Sequence, residues 1–141
     1  MLPAYAKDGF LKYLLIIRGA VAGDLFIDWL IHGILPQMNR FLEERSVLII
    51  DNCSTHRTEA VQEACDAAGI LLLYLPPYSP DLNPIEPAFH CLKQWMRRNR
   101  DYVPKHDDPE VEEKFRAFLI QACDDFTAVG NHEGLWRDAQ I

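Results

Sequence analysis

Four prolines fall within nine residues, Pro76-Pro77-Tyr78-Ser79-Pro80-Asp81-Leu82-Asn83-Pro84. Each proline locks its own φ and removes a backbone donor, so this stretch is neither a helix interior nor a central strand. A rigid, turn-rich loop is the remaining solution. Its stiffness lowers the entropy lost on folding and fixes the angle at which the chain enters the next element. Asn83 is suited to cap a helix whose first position is Pro84. That helix is expected to run to about Arg100, with Phe89, Leu92 and Met96 on its core side.

The segments around the loop read as alternating strands and helices. Ser46 to Ile50 and Ile70 to Leu75 are short, apolar runs that suit buried strands of a parallel sheet. Between them Thr58 caps a helix that Gly69 stops. Upstream, Phe10 to Val21 is apolar throughout, and its glycine-bounded ends favour a buried strand over a helix. Asp24 is placed to cap the next helix, with Phe26, Trp29, Leu30 and Ile34 on one face, weakening at Leu35-Pro36. A last helix is expected from about Pro109 to Phe126, with Val111, Phe115, Phe118 and Leu119 on one side. The order β, α, β, α, β, α, α predicts an α/β fold, a sheet flanked by helices. One domain is expected over residues 1–126, with a frayed tail over 127–141.

Charge and cysteine content narrow the function classes. Residues 1–100 hold 10 basic and 11 acidic side chains, and residues 101–141 hold 4 and 10. The acidic tail disfavours nucleic-acid binding by bulk charge, so any such contact needs a local basic face. Cys53, Cys65, Cys91 and Cys123 form no CxxC pair and no Cys/His cluster with zinc spacing, as expected of thiols in a reducing compartment. The Asn52-Cys53-Ser54 sequon follows a buried-looking strand and is read as chance. No apolar run reaches 18 residues and no signal peptide is evident, so neither a membrane span nor secretion is expected.

Two carboxylates stand at informative places. Asp51 sits where a strand ends, and Glu86 in the first turn of the helix after the proline loop. Strand tips and helix starts meet at the open edge of an α/β sheet, so both side chains could face one site. Paired carboxylates suit a hard divalent cation such as magnesium, which prefers oxygen ligands. Equally, Asp51 could cap a turn and Glu86 complement a helix dipole. His90, Lys93 and Arg97 follow Glu86 at steps of four, three and four and share its face. They suit either a DNA backbone or a solvated helix face. Trp29, Trp95 and Trp136 make no pattern that suggests a nucleobase platform.

The string Leu75-Pro76-Pro77-Tyr78-Ser79-Pro80-Asp81-Leu82-Asn83-Pro84-Ile85-Glu86 resembles the signature of mariner-type transposases of the DDE superfamily. Val47-Leu48-Ile49-Ile50-Asp51-Asn52, with His56, resembles that family's second catalytic strand and the loop after it. The 34 residues between Asp51 and Glu86 match the spacing of one branch of the family. The likeness covers about residues 4 to 100. It implies a ribonuclease-H-like fold that cuts and rejoins DNA at transposon ends with Mg2+ or Mn2+. Asp51 would be the second catalytic, metal-binding carboxylate and Glu86 the third. Asn52, His56 and Asn83 would lie beside the active site, and His90, Lys93 and Arg97 along the DNA.

The family's first aspartate lies on a first strand that should precede Met1, and neither Asp8 nor Asp24 occupies its place. The chain is therefore expected to be a transposase domain truncated at its N-terminus, with one or more first strands missing. It would be inactive as it stands, with metal binding weak or absent. The alternative is a non-enzymatic remnant that binds nucleic acid or protein. Loss of the first strands would expose a sheet edge and favour self-association. The expected location is intracellular, and nuclear in a eukaryote.

Overall fold

The structure, a computed structural model, describes residues 1–54, 56–105, 109–130 and 132–139. Two compact units divide the chain. One comprises Met1–Ala4 and Leu11–Asn83, the other Tyr5–Phe10 and Pro84–Ile141.

In the first unit, β3 (Val47–Ile50) and β4 (Leu71–Tyr74) pair in parallel, with Val47 opposite Leu71 and Ile50 opposite Tyr74. Hydrogen bonds from Leu71 N–H to Ser46 C=O and from Leu75 N–H to Ile50 C=O extend the ladder at both ends. The connection is α2 (Glu59–Ala68). Thr58 Oγ1 accepts from Val61 N–H at 3.3 Å, and Gly69 closes the helix in the left-handed region at φ 72°. Val61 and Cys65 are fully buried on the inner face of α2. Burial raises the Cys65 thiol to a pKa of about 11, with the neighbouring Asp66 carboxylate adding to the effect.

These strands are less buried than expected. Side chains alternate across a strand, so Leu48 and Leu72 face inward while Val47, Leu71 and Leu73 remain exposed. The predicted strand over residues 10–21 also departs from expectation. β1 (Tyr5–Ala6) and β2 (Gly9–Phe10) form an antiparallel hairpin in the second unit, and beyond it only a bridge between Leu15 and Leu2 is made. The reason lies in where the backbone groups go. Leu11 N–H still bonds to Ala4 C=O as in a strand pair, but Lys12 N–H turns to the Gln37 side chain and Tyr13 C=O accepts from the Trp29 indole. With the Lys12 and Tyr13 groups engaged elsewhere, the pairing is interrupted and continues only as the Leu2–Leu15 bridge. The fold is thus mixed α/β, with its described strands in two separate two-stranded sheets rather than one larger sheet.

The first unit also holds α1 (Gly23–Trp29), which runs into a wider π turn at Leu30–Ile34 and a 3-10 turn at Leu35–Gln37. Asp24 lies inside the first turn instead of capping it, and Ala22 is the cap residue. There the carboxylate still complements the helix dipole. The regular α-helix already ends at Trp29, before the expected weakening at Leu35-Pro36, and the Gln37 side-chain amide donates to Gly33 C=O at 2.6 Å. Phe26, Trp29, Leu30 and Ile34 are buried, as their spacing predicts.

In the second unit, α3 (Ile85–Arg98) begins one residue later than anticipated, with Pro84 rather than Asn83 as its cap residue. It buries Ala88 and Leu92, and Asn99 closes it by donating from its side chain to Trp95 C=O. The long α4 (Val111–Val129) buries Phe118, Leu119, Ala122, Cys123 and Phe126, whereas Phe115 is exposed. Burial lifts the Cys123 thiol to about 12, with Asp124 contributing.

The tail is not simply frayed, because α5 (His132–Asp138) forms within it. Tyr5, Phe10, Phe126, His132 and Trp136 make an aromatic cluster, with Tyr5 stacked on Trp136 at 6.3 Å. Tyr5 Oη and His132 Nδ1 share a hydrogen bond of 2.8 Å. Burial, with a smaller contribution from Cys91, pushes the Tyr5 hydroxyl to about 12. Such a cluster supplies enough apolar area to hold a short terminal helix. Gly9 seats the hairpin against α4: its φ is 122°, and a side chain there would collide with Thr127, whose hydroxyl accepts from Phe10 N–H.

Candidate functional site

The side chains with the most chemistry in the first unit gather at the C-terminal end of β3. Asp51 leaves the strand directly, and backbone hydrogen bonds tie Cys53 to His56 and Arg57. Cys53 C=O accepts from both His56 N–H and Arg57 N–H at 3.0 Å. Asp51 Oδ1 accepts from Cys53 N–H at 3.2 Å, a turn in which an aspartate side chain bonds its own backbone two residues on. The same oxygen lies 2.5 Å from His56 Nδ1. A carboxylate has no proton to give, so Nδ1 carries the hydrogen and donates it.

His56 is held from three sides. Its ring stacks on Phe26 at 4.1 Å and 26°. Its carbonyl accepts from Tyr74 Oη at 3.2 Å, and its imidazole is anchored on Asp51. Burial raises the Tyr74 hydroxyl pKa, Cys65 adds to this, and Arg57 opposes it. Arg57 lies over the Tyr74 ring at 5.9 Å and donates to Asn52 Oδ1 at 3.3 Å. The Asp51 side chain remains 56% exposed while that of His56 is 20% exposed, so the acid faces solvent from a fixed seat.

The structure therefore brings Asp51, Asn52 and His56 into one turn, as the sequence suggested. It adds Cys53, Phe26, Arg57 and Tyr74. One ligand atom from each of Asp51, Cys53 and His56 lies within 4.8 Å of the others. The Asp-x-Cys-x-x-His spacing was visible in the sequence but matches no common zinc pattern. No sequence signal pairs Phe26 with a histidine 30 positions away. Asn83 is half-buried at the end of the first unit, its N–H bonded to Pro80 C=O after the 3-10 turn Pro80–Leu82. Within the same loop Tyr78 adopts φ 59° and is fully exposed.

Glu86 belongs to the second unit, in the first turn of α3 and exposed. His90, Lys93 and Arg97 are exposed on the same helix, opposite buried Ala88 and Leu92. His90 Nε2 pairs with the Gln94 side chain at 2.7 Å. No described helix is long and apolar enough to cross a membrane.

Comparison with known proteins adds a family and a fold. The family model for DDE superfamily endonucleases matches residues 1–108. A solved structure of the Mos1 transposase catalytic domain, with raltegravir and magnesium, is similar at a TM-score of 0.59 and 19% identity. The match covers 98% of this chain and 66% of that one, so this chain spans just under two thirds of its length. No curated protein matches the sequence.

Proposed function

The chain belongs to the DDE superfamily endonucleases, and from that membership we propose that it forms part of a transposase catalytic domain for DNA strand cleavage and transfer. Asp51 and Glu86 are, in this reading, two of the carboxylates that hold Mg2+ or Mn2+. The observation that carries the proposal is Asp51 itself. It is an exposed carboxylate at the C-terminal tip of a parallel strand, oriented through one oxygen by Cys53 N–H and His56.

The donors fit a hard divalent ion. Both side chains are exposed carboxylates, and among the described residues neither is neutralised by a lysine or arginine. Once bound, a divalent ion supplies Lewis-acid stabilisation to the reacting phosphodiester. The protein's part is positional. His56 and the Cys53 amide fix the Asp51 carboxylate, while Phe26 and Tyr74 fix His56. The proline loop sets the start of the helix that bears Glu86. His90, Lys93 and Arg97 line the exposed side of that helix and are assigned to DNA phosphates such as those of transposon ends.

Neither Asp8 nor Asp24 stands at a strand tip like Asp51: one follows β1 in a turn and the other begins α1. We propose that the first carboxylate of the family has no counterpart in this chain and that these 141 residues do not cut DNA by themselves. A DNA substrate implies an intracellular protein, nuclear in a eukaryote. Self-association through a sheet edge belongs to the same reading, because β3 and β4 pair only with each other among the described residues, and Val47, Leu71 and Leu73 are exposed along them.

Calorimetric titration of Mg2+ and Mn2+ into the full chain, beside Asp51→Ala/Glu86→Ala, tests the assignment. Weak binding that disappears in the double variant is expected. Equal heats in both proteins would sink the two-carboxylate assignment.

A further inference from the structure

The turn after β3 holds a second kind of metal chemistry. Asp51, Cys53 and His56 offer a carboxylate oxygen, a sulfur and an imidazole nitrogen, all within 4.8 Å of one another. Magnesium has little use for the last two, since it prefers oxygen ligands. Zinc takes all three ligand types and is commonly held by three protein groups with a fourth position left open. We propose that Asp51, Cys53 and His56 form a zinc site that competes with magnesium for the Asp51 carboxylate.

The geometry is close to what zinc requires. Bond lengths of about 2.0–2.3 Å at tetrahedral angles place ligand atoms about 3.4–3.6 Å apart. His56 Nδ1 and Asp51 Oδ1 are 2.5 Å apart with a proton between them. Zinc takes that proton's place, and the two atoms separate by about 1 Å. The Cys53 sulfur closes from within 4.8 Å. Cys53 is exposed and is not part of a disulfide, so its approach disturbs no buried packing.

Protons and charge balance. The Cys53 thiol releases one proton to solvent as the thiolate binds. The imidazole proton leaves Nδ1 and one is taken up at Nε2 through solvent, so the ring stays neutral. Thiolate and carboxylate together neutralise the zinc dication. The outer contacts are those of a supported ligand: Phe26 fixes the plane of the imidazole, and Tyr74 fixes its backbone. Thiolate and imidazole ligands suit zinc, whereas magnesium suits carboxylate, carbonyl and water oxygens. Micromolar zinc would then occupy Asp51 against millimolar magnesium. The competition rests on the carboxylate role proposed above, whereas the zinc site itself does not.

The test uses the full chain, with Co2+ as a spectroscopic substitute for Zn2+. One equivalent of Co2+ should give a thiolate-to-cobalt charge-transfer band in the wild type. The band should vanish on adding Zn2+ and be absent in Cys53→Ser. Zinc affinity should fall by at least about tenfold in Cys53→Ser, while magnesium affinity stays within about twofold. Zinc should also abolish the magnesium heat in the wild type.

No charge-transfer band in the wild type, or equal zinc affinity in both proteins, would overturn the zinc site. A Cys53-dependent zinc site beside an unchanged magnesium heat would overturn the competition. If magnesium gives no heat even without zinc, the carboxylate reading fails while a Cys53-dependent zinc site stands.

Discussion

The two units of this chain are stabilised in different ways. The second is held by aromatic mass. Tyr5, Phe10, Phe126, His132 and Trp136 interlock, and Trp95 meets Phe118 at 5.5 Å. The first packs Phe26, Trp29, Leu30, Ile34, Val61 and Cys65, and adds two four-residue strands, one capped helix and a turn knit by hydrogen bonds. One face of its sheet is packed and the other is exposed. The turn that carries Asp51 belongs to this first unit, where hydrogen bonds and the stacking of His56 on Phe26 set the geometry. A carboxylate proposed to meet an ion cannot be walled in by apolar side chains, because burial penalises its charge.

That contrast can be tested from both sides. The largest effect is expected for Phe126→Ala, which removes the centre of the aromatic cluster. Losing a buried phenylalanine typically costs about 3–5 kcal/mol. Urea unfolding should show that loss, together with release of α5. A cost below about 1 kcal/mol would mean that the cluster does not hold the second unit.

Next comes Thr58→Ala, which deletes the cap of α2 at the end of the turn that carries Asp51. A loss of about 1 kcal/mol is expected. The cobalt spectrum should persist, because Asp51, Cys53 and His56 are tied to one another without Thr58. Loss of the spectrum at unchanged stability would instead make the cap part of the site.

The smallest change in stability is expected for Leu73→Lys on the exposed sheet face, within about 0.5 kcal/mol. Its readout is sedimentation at tens of micromolar. Self-association in the wild type should weaken in the variant, since a lysine on an exposed strand opposes pairing with another copy. Monomer in both proteins would remove the sheet face as an association surface.

Much of the fold was legible because its signals are local. Thr58 and Gly69 bracket α2 as capping residues should, and the proline loop delivered a helix that starts within one residue of its predicted first position. The helical spacing of Phe26, Trp29, Leu30 and Ile34 identified their buried face. Residues 10–21 were misleading for a physical reason. A strand exists only where a partner backbone answers its donors and acceptors, and here side chains of Gln37 and Trp29 answered those of Lys12 and Tyr13 instead. The tail misled in the same way. α5 is seven residues long, too short to persist alone, and is held by aromatic contacts with Tyr5, more than 120 positions away, and with Phe126.

The candidate site divides along the same line. Asp51 and Glu86 stood out in the sequence because a strand end and a helix start are local events, and so did the stepwise face of His90, Lys93 and Arg97. The direct bond between Asp51 and His56, and the nearness of Cys53 to both, required the backbone to turn back on itself. The stacking of Phe26 on His56 required α1 to reach that turn. By itself the sequence determined which residues cap, break and pattern the elements, because those preferences act within a few residues of the chain. Only the tertiary structure decided which strands found partners, which sheet face stayed bare and which side chains meet around Asp51. Those outcomes depend on contacts between distant segments, whose energies no local stretch contains.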